Sequence, residues 1–275
     1  MTEQQPNVHL ALPSRAENVV LVREVLNALA QQISFGDVLD DVKAAVSEAC
    51  NNVVVHAYPD GEGPLEIDIT VRPGELVTVV RDFGVGTVNR AEDDEVPGRG
   101  IGLAVIEALA GSFELRVRPG EGVEVEMAFP IPRQVEFAAA EAVDEQIVWE
   151  SGIRAFVAPS ELAAPVLSRL CGALAARAGF TLDRLSDAQL ISDALGARIA
   201  TVLDGNGVAL GVDVLERAVS LRVGRLRAGG GESLLAGSAI GGVGPLIERL
   251  ADEVEVSETG GGEVLRLLVR ADPGA

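Results

Sequence analysis

The second half of this chain repeats the first, and that period constrains its fold more than any single motif does. From Phe35 and Phe180 a gapless register runs at an offset of 145 residues. Ser47-Glu48-Ala49 falls on Ser192-Asp193-Ala194. Leu65, Ile67, Asp68, Ile69 and Arg72 fall on Leu210, Val212, Asp213, Val214 and Arg217, and Gly84 and Gly86 on Gly229 and Gly231. Upstream, Pro13-Ser14 matches Pro159-Ser160 at an offset of 146. Downstream, Ile106-Glu107 matches Ile247-Glu248 at 141, which implies a loss of about four residues between the glycine segments. A chain of 275 residues then divides into two domains of ordinary size. We expect them at 1–134 and 150–275, joined by an acidic, alanine-rich linker over 135–149.

Each element of the first half carries a local signal. Val8 to Leu12 is a short apolar strand. Ser14, with Glu17 three residues on, reads as a capping box for a helix whose apolar face is Val19, Val22, Leu26 and Leu29. A second helix spans about Asp37 to His56, with Val38, Val42, Ala45, Val46, Ala49 and Val53 toward the core. Leu65 to Ile69 alternates as a half-buried strand, Pro73-Gly74 turns, and Leu76 to Val80 returns. A third helix follows Gly100 and stops at Gly111. Phe113 to Val117 and Val123 to Phe129 form a closing hairpin around Pro119-Gly120.

Charge and composition exclude several functions. The net charge is −20, with 10 basic and 22 acidic residues in 1–134 and 12 and 20 in 135–275. Neither half has a basic surface for nucleic acid. Residues 228–247 are the one stretch that suggests a membrane span, but seven glycines, Glu232 and Pro245 argue against it. The N-terminus has neither the basic start nor the apolar core of a signal peptide. Cys50 and Cys171 lie far apart inside apolar helical patterns, as buried reduced thiols would. A soluble, cytoplasmic protein is expected.

Three segments carry chemistry. In Glu48-Ala49-Cys50-Asn51-Asn52, Glu48 and Asn52 are four apart and project from one helix face. A carboxylate beside an amide oxygen can act as general base and as a hard-oxygen ligand for Mg²⁺. Alone, the pair reads rather as two solvated polar residues on an exposed helix face. In Asp82-Phe83-Gly84-Val85-Gly86, an acid at a strand end precedes two glycines. Such an acid can accept a hydrogen bond from an exocyclic amine, or the segment is an ordinary turn. In Gly98-Arg99-Gly100-Ile101-Gly102-Leu103, glycines open a helix, where backbone N–H groups and the helix dipole can meet phosphate. It lacks the preceding strand and the Gly-Lys-Ser/Thr ending of dinucleotide and P-loop sites. His56 reads as a helix-end histidine.

In this order and spacing, the three segments resemble the N, G1 and G2 boxes of the GHKL superfamily. It includes histidine kinases, gyrase, mismatch-repair ATPases and anti-sigma-factor serine kinases. The resemblance covers roughly residues 10–131 and implies an α+β two-layer sandwich of the Bergerat type, here in tandem. It implies that Glu48 is the catalytic base, that Asn52 ligates Mg²⁺ and that Asp82 reads the adenine of ATP. It further implies that Gly84, Gly86, Gly98, Arg99, Gly100, Ile101, Gly102 and Leu103 line the nucleotide. The short lid, Thr87 to Pro97, is most like that of the anti-sigma-factor serine kinases. Those bind a sigma factor and phosphorylate a small antagonist of the STAS type. A non-catalytic, ATP-gated binding module is the alternative. One departure stands out: where family members carry a threonine in the last strand, this chain has Gly122-Val123-Glu124.

The second copy lacks the same chemistry. Asn52 falls on Ala197 and Asp82 on Arg227, which removes a metal ligand and replaces an acceptor with a donor-only cation. Asp193 alone keeps its carboxylate. We expect a degenerate, nucleotide-free copy retained for its packing, and, since family members act as homodimers, either an intramolecular pseudo-dimer or a homodimer.

Overall fold

The computed structural model describes residues 7–85, 101–118, 120–133, 152–237, 245–260 and 262–272. The chain divides into two compact units, Met1–Phe137 and Ala138–Ala275. The expected linker, 135–149, lies outside the described residues.

The first unit contains β1 (Val8–Pro13), α1 (Ala16–Leu29), α2 (Leu39–His56), β2 (Pro64–Arg72), β3 (Glu75–Asp82), α3 (Ile101–Leu109), β4 (Ser112–Arg118) and β5 (Gly122–Pro130). Its strands form an antiparallel sheet in the order β4-β5-β3-β2-β1. The period-2 pattern assigns the two faces. Leu10, Leu65, Ile67, Ile69, Leu76, Val80, Met127 and Phe129 are buried. They pack with Val19, Val22, Leu26 and Leu29 of α1 and Val42, Val46, Ala49 and Val53 of α2. Burial of each large apolar side chain contributes about 1.5–3 kcal/mol. Both predicted helix faces are the ones observed, with Val38 only half-buried.

The opposite sheet face carries a charge ladder across all five strands. His9 Nδ1 meets Asp68 Oδ1 at 2.7 Å, and Arg81 pairs with Asp68 and, at 2.6 Å, with Glu124. Arg116 bonds Glu124 and Glu114, each at 2.6 Å. These partners hold the Asp68 and Glu124 carboxyls below the usual range despite the opposing effect of burial.

The predicted capping box does not form. α1 starts at Ala16 without a side-chain cap. Ser14 is buried and exchanges two bonds with Gly63: its N–H donates to the Gly63 carbonyl at 2.8 Å, and its Oγ accepts the Gly63 N–H at 3.0 Å. That tertiary contact ties the end of β1 to the entry of β2 and leaves the hydroxyl oxygen engaged away from the helix.

The second unit contains β6 (Ile153–Val157), α4 (Ala163–Arg177), α5 (Leu182–Gly196), β7 (Val208–Leu215), β8 (Ala218–Leu226), α6 (Gly230–Gly237), α7 (Leu246–Leu250), β9 (Glu253–Thr259) and β10 (Gly262–Arg270). Its strands follow the order β6-β7-β8-β10-β9, the first unit's order strand for strand. Arg184, nearly buried at the start of α5, donates to the carbonyls of Arg270 and Leu250 and to Asp187 and Asp252. Both cysteines are buried free thiols, and burial pushes the Cys171 thiol up to about 11. No helix among the described residues is long and apolar enough to cross a membrane.

Strand register corrects one equivalence. The gapless offset places Arg227 opposite Asp82, but the last residue of β8 is Leu226. Gly122, at φ +104°, lies so close to the Asp82 carbonyl that a side chain would overlap it, and Gly262, at φ +113°, stands in the same relation to the Leu226 carbonyl. Leu226 pairs with Glu263 across the strands, beyond a bulge in which Gly224 and Arg225 of β8 face the single Val264 of β10, with Arg225 at φ +64°. The hairpins pair Arg72 with Glu75 and Leu215 with Ala218, an offset of 143 rather than 145, and the extra residue of β8 at the bulge then brings Leu226 level with Asp82. The position opposite Asp82 is therefore a fully buried leucine.

Candidate functional site

Glu48 and Asn52 lie one turn apart on α2, both half-buried. α3 packs against this helix. At Gly102, in the first turn of α3, an added Cβ would overlap Glu48 Oε1 and stand 3.3 Å from Asn52 Oδ1. The carboxylate and amide oxygens therefore converge on the backbone of the α3 N-terminus. The space at Gly102 is filled by those two side chains. Two oxygen donors of this kind fit a hard divalent cation such as Mg²⁺.

Asp82 ends β3, and only 6% of it is exposed. Its Oδ1 accepts the Gly84 N–H at 2.9 Å, and Val123 at the start of β5 donates a second backbone N–H. Burial raises its pKa above the usual carboxylate range, and the two N–H bonds only partly oppose the shift. A buried carboxylate is stabilised by each donor it gains, and an exocyclic amine is one that would serve. Val123 thus serves the site through its backbone, at the segment where the resemblance expected a threonine.

Gly84 meets the protein's own backbone. Its bare Cα faces the Ala57 carbonyl, at the C-terminus of α2, so closely that a Cβ would overlap it. The close approach is by the protein's own backbone, which fastens the turn after Asp82 to the helix bearing Glu48 and Asn52. Tyr58 adds a second tie that sequence did not signal: its hydroxyl accepts the Phe83 N–H at 2.8 Å and donates to the Pro64 carbonyl at 2.6 Å. Leu103 is half-buried in α3. Gly86, Gly98, Arg99, Gly100 and the Ile101 side chain lie outside the described residues.

In the second unit, Asp193 is exposed on α5 and accepts Gln189 Nε2 at 2.9 Å, while Ala197 follows the helix. Glu263, across from Leu226, accepts the N–H groups of Gly229 at 2.5 Å and Gly231 at 3.0 Å.

Residues 12–129 match the family model described as the histidine kinase-like ATPase domain. The serine-protein kinase RsbW of Bacillus mycoides is 28% identical over 148 residues, covering 49% of this chain and 91% of that protein. RsbW of Bacillus thuringiensis is 29% identical over 147 residues, with the same coverage of each. Among solved structures, the histidine kinase domain of the Escherichia coli osmosensor EnvZ is 16% identical with a TM-score of 0.28, covering 52% of this chain and 100% of that one.

Proposed function

We propose, with residues 12–129 being a histidine kinase-like ATPase domain, that the first unit binds Mg²⁺-ATP and phosphorylates a protein antagonist on serine or threonine. The chain then acts as an anti-sigma-factor-like regulator with protein partners, a sigma factor and an antagonist of the STAS type. The observation that carries this reading is the meeting of Glu48 Oε1 and Asn52 Oδ1 at Gly102, with buried Asp82 tied to the same helix through Gly84 and Ala57.

Each residue has a distinct task. Asp82 accepts the adenine amine and fixes the base. The α3 N-terminus offers N–H groups and its dipole to phosphate. Mg²⁺ held through Asn52 would offset phosphate charge. Glu48 takes the proton of the acceptor hydroxyl as that oxygen bonds to the γ-phosphorus. The bond to the β–γ bridging oxygen breaks and ADP leaves.

The second unit, in this reading, is a degenerate copy. It keeps the sheet order but has Leu226 in place of Asp82 and Ala197 in place of Asn52. Glu48→Ala tests the kinase assignment. Transfer from labelled ATP to the identified antagonist should fall by about 10²–10⁴-fold with ATP affinity largely kept. A mutant that phosphorylates at the parent rate would show that Glu48 is not the base, and absence of transfer by the parent chain itself would leave an ATP-gated binding module.

A further inference from the structure

We infer that Tyr58 is a positioning residue for nucleobase recognition, its hydroxyl pinning the turn that presents Asp82. The inference rests on the reading of Asp82 as the adenine acceptor.

Asp82 can hold a base only if its carboxylate stays in place, and that carboxylate is steered by the Gly84 N–H of the turn that follows. The turn gains little from its own side chains: Phe83 is 49% exposed and Val85 61%. It is held instead through its backbone, on two sides, by consecutive residues at the end of α2. The Ala57 carbonyl closes on Gly84, and the Tyr58 hydroxyl takes the Phe83 N–H. The same hydroxyl donates to the Pro64 carbonyl at the start of β2, so one oxygen bridges the turn to the sheet.

The ring is itself fixed. It lies against Gly63, where any side chain would overlap it. Gly63 is anchored by its two hydrogen bonds to Ser14. A continuous set of contacts therefore runs from Ser14 through Gly63 and Tyr58 to Phe83 and Gly84. The serine that fails to cap α1 is the outer anchor of this clamp. Because Tyr58 follows the helix bearing Glu48 and Asn52, the clamp also fixes the distance between the base-reading acid and those two oxygens.

The test uses the full chain with Tyr58→Phe. Affinities for Mg²⁺-ATP, and for Mg²⁺-GTP by competition, are measured beside the thermal midpoint and the transfer rate at saturating ATP. Loss of one hydrogen bond predicts an ATP affinity about two- to tenfold weaker. GTP affinity should be unchanged, so the preference for ATP narrows, and the saturated rate should fall because Asp82 is no longer held at a fixed distance from Glu48 and Asn52. Equal weakening of both nucleotides together with a lower midpoint would mean that Tyr58 only supports the fold, and would overturn the inference. So would an unchanged ATP affinity. Gly63→Ala, which displaces the ring but keeps the hydroxyl, should narrow the same preference and provides the readout if Tyr58→Phe does not fold. Asp82→Asn is measured in parallel. If it too leaves ATP affinity unchanged, the reading of Asp82 fails and the clamp with it. If it weakens ATP while both clamp variants are silent, only the clamp fails.

Discussion

Asp82 and Glu263 belong to matching strand-end pairs of the two units, Asp82 with Val123 and Glu263 with Leu226, and differ in their hydrogen bonds. In the first unit the acid ends the strand that leaves the hairpin, and its neighbour on the next strand is Val123. In the second unit the strand ends in Leu226 and the acid lies on the neighbour, Glu263. The acid–apolar pair has changed sides. Asp82 is buried with two backbone donors, and burial dominates, raising its pKa. Glu263 faces solvent and takes the N–H groups of Gly231, Gly229 and Gly230 at the start of α6, which lower its pKa. Among the described residues, the first carboxylate takes two backbone donors and keeps a raised pKa. The second is satisfied by the chain itself. A binding acid differs from a structural one in the hydrogen bonds that remain to be made, not in its presence at a strand end.

The largest expected effect is on Asp82. Asp82→Asn should weaken ATP about 10- to 150-fold, the range for losing a charge-assisted hydrogen bond of roughly 1.5–3 kcal/mol. Calorimetry on the parent chain should give about one ATP per chain. Two equivalent sites would break the comparison at once, because Leu226 cannot accept a hydrogen bond.

The same contrast has a pH signature in binding. The adenine amine bonds an ionised acceptor more strongly than a protonated one, so ATP affinity is highest above the Asp82 pKa and weakens as pH falls through it. Burial places that pKa above the ordinary aspartate value of about 3.9. Affinity should therefore begin to fall at a higher pH than an exposed aspartate would give, and Asp82→Asn should flatten the profile. A profile that stays level until the ordinary carboxylate range would mean that Asp82 is not the acceptor.

What sequence disclosed, and what it did not, follows from the range of the forces involved. Apolar periodicity is local, so the buried faces of α1 and α2 and the β4–β5 hairpin could be read directly. The three motif segments were recognisable from residue type and order, and the structure brings Glu48, Asn52 and Gly102 into contact. Tyr58 carried no such signal, because its task exists only once Pro64 and Phe83 are adjacent in space. Ser14 failed as a cap for the same reason: its oxygen was claimed by Gly63, 49 residues away. Arg227 was set opposite Asp82 because an offset of 145 misses the hairpin register, which pairs Arg72 with Glu75 and Leu215 with Ala218 at 143, and the one residue that β8 gains at Arg225. At Gly84 the approach of the Ala57 carbonyl could not be read, because it exists only once the turn after β3 meets the end of α2.

The smallest expected effect separates the two acids on stability. The folded pKa of Glu263 is depressed, so its contribution is present above the unfolded value of about 4.3 and is lost as pH falls through the folded value. Asp82 has the opposite sign, since its raised pKa means that ionisation opposes folding. Glu263→Gln should lower stability by about 0.3–1 kcal/mol near neutral pH, toward the lower end because the carboxylate is solvent-facing. Denaturant midpoints of parent and variant should converge once Glu263 is protonated in both folded and unfolded chains. The variant also frees the N–H groups of Gly229 to Gly231 from a negative charge. If the second unit is inert because Leu226 and Ala197 offer no acceptor or metal ligand, ATP stoichiometry should stay at about one. A second equivalent in the Gln variant would instead make the Glu263 carboxylate the group that keeps that unit empty, and the difference between the units would be an occupied anion site rather than a lost one.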